Sequence, residues 1–205
     1  MLFSGLLGTV GAFIYGSFLE WFIHRHGMHT SRLSKLAFER HAIAHHTERR
    51  SLKTFYIGPE EDSRYHFGES SFIPILWFIH FPIYYLVWHF FNPAAGVGTA
   101  LGGLLYMLGY EFIHFYIHAP RNYWFQRTRL FRFYCEYHRV HHHRARWNYN
   151  IVMPLGDLVL RTINFEHMVP EPSAPSYVPP DEGPLTIFRK PHSPKSAAGA
   201  ETKRS

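Results

Sequence analysis

The chain has one cysteine, Cys135, in 205 residues. A lone cysteine excludes an intramolecular disulfide framework, and it excludes a thiolate-held zinc or iron–sulfur site. There is no Gly-rich phosphate loop and no dinucleotide fingerprint. No internal repeat of solenoid period is found. No cytochrome or flavin domain is recognisable. Any metal must therefore be held by imidazole and carboxylate.

Those groups are plentiful: 17 residues are His, and Phe, Tyr and Trp make up 18% of the chain. The formal charge of +6 would suit nucleic acid, but the basic residues lie beside apolar runs, which makes a membrane surface the better partner. Mean hydropathy is only −0.18, because very polar loops and a polar tail mask three long apolar runs. Residues 2–23 carry no charge before Glu20. Residues 72–91 are apolar and aromatic, interrupted by Pro74, His80, Pro82 and His89. Residues 94–118 are Gly-rich and apolar apart from Glu111 and the histidines. Each run approaches the ~20 residues that cross a bilayer core as a helix. The first lacks the basic start and small-residue cleavage site of a signal peptide, so it reads as a span. Arg and Lys follow the first and third runs, which places the N-terminus outside and both following loops inside.

These patterns predict an all-α integral-membrane helical bundle of about three to four spans over residues 1–169. A disordered Pro/Ser/Ala-rich tail is expected over residues 170–205. Residues 122–138 mix aromatics with Arg at near-helical spacing, as in a helix lying in the headgroup layer.

Histidine gathers in four places, all on the side predicted to face inward. HRHGMH holds His24 and His29, and Gly27 allows the chain to leave regular geometry there. HAIAHH holds His41, His45 and His46. On an ideal α-helix His46 lies ~140° from His41, so it reaches a shared site only if the metal pair sits broadly across that face or if the helix is locally rewound, as by a π-bulge. YEFIHFYIH puts Glu111, His114 and His118 along one helix face. HRVHHH puts His138, His141 and His142 in one arc and turns His143 elsewhere. Ten candidate ligands exceed the four of a tetrahedral zinc and suit two metals. Glu20, Glu111 and Asp157 are candidates to accept the second ring N–H of nearby imidazoles. No side chain beyond the ligands is assigned a catalytic role. His26, His66, His80 and His89 read as loop or span residues.

The series HX4H, HX3HH, HX3H and HX2HH, in that order, resembles the integral-membrane fatty acid hydroxylase superfamily, which includes sterol desaturases and carotenoid hydroxylases. The likeness runs from about Glu20 to Thr162. EWFIHRHGMH is similar to the first box and YEFIHFYIH to the third, and WNYNIVMPLGDLVLRT resembles the closing segment. The second box departs from the commoner HX2HH, which would put histidine where Ala42 stands. The resemblance implies a di-iron histidine-box monooxygenase using two iron ions, with zinc replacing them in isolated protein. It implies O2, a lipid substrate and a separate electron donor protein of cytochrome or ferredoxin type. A fatty acyl chain leads among the substrates; sterol or carotenoid hydroxylation and desaturation fit the same boxes. A metal-ion carrier is the alternative from another class. Bacterial inner membrane and endoplasmic reticulum both suit a multi-pass protein of this kind.

Overall fold

The computed structural model describes residues 1–50, 55, 56, 72–119, 121 and 123–165. The tail expected to be disordered, and His66, lie outside the described residues. Every regular element among those described is helical. Two helices form the axis: α1 (Leu2–Phe22) and a later one over Pro93–His118. α1 runs directly into a π-helical turn, π1 (Ile23–Met28), so that Leu2–Met28 is a single apolar rod of 27 residues, against 26 in Pro93–His118. Both are long and apolar enough to cross a membrane. Only 17% and 28% of their most apolar stretches are buried. Leu6, Leu7, Val10, Ile14, Leu101 and Leu105 therefore point outward, a surface that water would penalise.

After π1 come α2 (Lys35–Phe38), π2 (Glu39–His45) and α3 (His46–Glu48). The Ser34 hydroxyl caps α2 by accepting the Ala37 N–H at 3.1 Å. The second apolar run is not one continuous helix. It forms α4 (Phe72–Ile79) and α5 (Phe81–Phe90), broken at His80. Pro82 has no N–H to give the Phe78 carbonyl and its ring crowds that position, so the helix cannot run through. Asn92 then caps α6 (Pro93–His118), its side chain accepting the Ala95 N–H at 3.0 Å, with Pro93 at the first helical position.

α1 and α6 approach so closely that a Cβ at Gly98 would overlap the Gly5 carbonyl, and one at Gly102 would meet Thr9. Thr9 donates across the gap to the Gly98 carbonyl at 3.1 Å. Small residues and a hydroxyl at the crossing are how apolar helices pack backbone to backbone.

The segment expected to lie in the headgroup layer as one helix is two pieces. A 3-10 turn (Trp124–Arg127) precedes α7 (Arg129–His143), and the Thr128 hydroxyl caps α7 by accepting the Phe131 N–H at 3.2 Å. Buried Gln126 sets the break. Its amide donates to the Tyr116 carbonyl at 3.0 Å, and its oxygen accepts the Arg121 and Tyr123 N–H groups, which turns the chain back from the end of α6. α7 is mostly buried from Phe131 to His142, so it is a core element rather than a surface float. Asn148, at φ 57°, turns the chain, and α8 (Leu155–Val159) packs back on α1.

Candidate metal centre

The ten candidate histidines sort into two nests of five. His24, His29, His41, His46 and His141 form one; His45, His114, His118, His138 and His142 form the other, and within each nest the ligand atoms lie within 4.8 Å of one another. Helix type decides the sorting. A π-turn brings residues five apart onto one face. In π1 the His29 N–H bonds the His24 carbonyl at 3.1 Å, and after π2 the His46 N–H bonds the His41 carbonyl. Both i, i+5 pairs supply the first nest. The i, i+4 pairs of ordinary helix, His114/His118 in α6 and His138/His142 in α7, supply the second. His45 and His46 point to different nests, as do His141 and His142. His143 is exposed and belongs to neither.

Several ring tautomers are set by backbone. A carbonyl can only accept, so His24 Nδ1 donates to Tyr149 O (2.5 Å), His118 Nδ1 to Phe55 O (2.7 Å) and His141 Nδ1 to Trp147 O (2.8 Å). Each bare Nε2 then carries a lone pair aimed inward. Yet Nε2 atoms stand 2.9 Å apart between His24 and His41, 3.0 Å between His29 and His141, and 3.1 Å between His118 and His138. Nitrogens at that range share either a proton, as an N–H···N hydrogen bond, or a cation held by both lone pairs. With metal–nitrogen bonds of ~2.1 Å, neighbouring ligands lie about 3.0–3.4 Å apart, so these separations also suit ligands to one ion. His45 Nε2 is buried without a hydrogen-bond partner, which is costly in apolar surroundings unless it binds something. The residues present therefore fit a metal ion in each nest.

Burial keeps five of the rings outside the two long helices neutral. Desolvation, with the His41 ring adding, brings His29 down to about 3. It also holds His45, His138, His141 and His142 well below the usual histidine range, their neighbouring imidazoles reinforcing it. Neutral imidazole is the ligating form, so protons compete weakly for these nitrogens at neutral pH.

Glu20 and Asp157 stand one link further out than the sequence reading placed them. Among the described residues Glu20 bonds no imidazole. It accepts from Tyr106 O–H (2.6 Å), Asn150 Nδ2 (3.2 Å) and the Ile151 N–H. Asp157 accepts from the Tyr149 and Asn150 N–H groups at 3.0 and 2.6 Å, and from the Thr162 and Tyr137 hydroxyls. Both grip residues 149–151, so they hold the Tyr149 carbonyl that orients His24. Backbone carbonyls took the role expected of carboxylates. Glu111 is buried on α6, in the wall of the cavity described next. Sequence reasoning did not find Ser17, Tyr106 or Tyr137 in this support. The Ser17 hydroxyl donates to Met153 O at 2.5 Å and accepts the Gly156 N–H at 2.9 Å. No residue signature announces such contacts across more than a hundred positions.

A cavity of about 750 Å3 opens beside the first nest and follows α1 to its far end. His24, His41 and Glu111 line one end, Ser4 and Asn92 the other. From Ser4 to His24 the rod rises ~30 Å at ~1.5 Å per residue, about the thickness of a bilayer core. The volume suits a small-molecule site.

No family model, curated protein or solved structure matches this chain.

Proposed function

We propose that the chain is an O2-dependent di-iron membrane oxygenase that hydroxylates a C–H bond of a lipid, first among the candidates a fatty acyl chain. The observation that carries this reading is the conjunction of two five-imidazole nests with a bilayer-length apolar cavity that ends at one of them. The order of the four histidine boxes supports it independently.

Five imidazoles exceed what a tetrahedral zinc takes and would suit an ion of higher coordination number. His24, His29, His41, His46 and His141 would hold one iron, and His45, His114, His118, His138 and His142 the other. Bound there, the two ions supply activation of O2 with two electrons from a separate cytochrome- or ferredoxin-type protein. The chain's own residues do the rest. The carbonyls of Tyr149, Trp147 and Phe55 fix ring orientation, and Glu20 and Asp157 fix the first of those carbonyls. Leu19, Ile83 and Val87 in the cavity wall exclude water and align an extended chain with the nest. Arg40, exposed and lining the mouth beside His41, is placed to meet an anionic headgroup. A metal carrier would hold its ligands near the bilayer midplane on broken, repeat-related helices; here both nests gather at one end of α1 and α6.

Lipid profiling of cells that make the intact protein or His114→Ala tests this. The expected result is a hydroxylated lipid that appears with the intact protein and vanishes with the variant. An unchanged lipid profile together with altered metal uptake would favour the carrier.

A further inference from the structure

One ionisable side chain in the apolar region has no part in the metal nests. His80 sits at the break between α4 and α5 and is 8% exposed. An ionisable residue so placed is costly, and such residues mark function more often than packing. Its Nδ1 donates to the Leu76 carbonyl at 2.6 Å, which leaves Nε2 as an acceptor. Tyr15 of α1 donates its hydroxyl to that Nε2 at 2.9 Å, and the two rings meet edge to face. The bond joins α1 to the α4–α5 break, two elements that each pack on α6 and both contribute to the cavity wall. Tyr15 and His80 both line the cavity, with Tyr84 beside them.

We propose that the Tyr15–His80 pair is the polar subsite of this cavity, and that it binds a hydroxyl group carried part-way along the lipid chain. The inference rests on the lipid-oxygenase reading and narrows its substrate class to chains already bearing an oxygen function. With its proton committed to His80, the Tyr15 oxygen keeps its lone pairs for a donor from the ligand. Its surroundings along α1 are apolar, including Ala12 and Leu19, so a ligand hydroxyl finds its partner at this rung. Tyr15 precedes His24 by nine residues, which is ~14 Å along the helix. An extended chain advances about 1.2 Å per bond, so the recognised oxygen lies roughly eleven bonds from the part of the chain at the nest.

The test is displacement of a bound fluorescent fatty acid from the full-length, metal-loaded protein by stearic, 2-hydroxystearic and 12-hydroxystearic acids. The 12-hydroxy acid should bind about fivefold more tightly than stearic acid, as one net hydrogen bond allows. The 2-hydroxy acid should gain nothing. The double variant Tyr15→Phe/His80→Phe, which removes the Nε2 acceptor together with the hydroxyl, should erase the preference with metal content unchanged. Equal binding of all three acids by the wild type, or a preference that survives in the double variant, overturns the subsite and leaves the lipid cavity standing. Failure of any acid to displace the probe overturns the lipid reading of the cavity and the subsite with it.

Discussion

At the scale of single residues, the candidate centre depends on aiming ten imidazoles and on keeping rings such as His29 and His45 neutral. Asp157 illustrates the aiming. It accepts four hydrogen bonds, two of them from the backbone N–H groups of Tyr149 and Asn150, on either side of the Tyr149 Cα. Asp157→Asn replaces one acceptor oxygen by an NH2 that faces donors. The expected cost is about 1–3 kcal/mol for the group left unpaired, with metal affinity down roughly 10–100-fold through the misplaced Tyr149 carbonyl. Thermal unfolding and metal titration read the two effects separately. Neutrality gives a pH dependence of definite sign. An unfolded histidine takes up its proton near 6.5, whereas His29 in the fold resists it down to about 3. Above pH 6.5 neither state is protonated and stability does not change on this account. Below it the unfolded chain gains protons that the folded chain refuses, so stability falls by about 1.4 kcal/mol per pH unit for each such imidazole. Metal-free protein should therefore melt at a clearly lower temperature at pH 5.5 than at pH 7.5; equal melting temperatures would contradict the burial of these rings.

At the scale of elements, the two π-turns are what divide the histidines. Deleting His26 shortens the spacing of His24 and His29 from five residues to four and asks π1 to become ordinary helix. The first nest should then lose its metal, halving the content per chain, while the second is untouched. The histidine boxes were legible in the sequence because spacing along a helix is periodic, and rewinding at His41–His46 was one of the two ways that arithmetic left open. Their division into nests was not legible, since an i, i+4 and an i, i+5 pair look alike until the local helix type is known. The partners of His24, His118 and His141 were hidden for another reason: every residue has a carbonyl, so Tyr149, Trp147 and Phe55 carry no mark of the role. The break at His80 had a visible cause in Pro82, but an apolar run of membrane length reads more strongly than one proline.

At the scale of the whole molecule, two apolar rods carry the metal centre at one end and leave a chain-shaped cavity along their length. Their crossing depends on glycine. Gly98→Leu drives a side chain into the Gly5 carbonyl, so α1 and α6 must separate. The protein should lose both its metal content and its thermal transition, whereas Gly11→Leu, where no atom lies within 4 Å of an added Cβ, should be tolerated. Metal stoichiometry tests the central claim most directly. Iron-reconstituted wild-type protein should hold two ions per chain, and His46→Ala and His142→Ala, each taking one ring from a different nest, should each hold one. A wild type that binds a single ion, or none, or variants that keep both, would contradict the division of ten imidazoles between two metals.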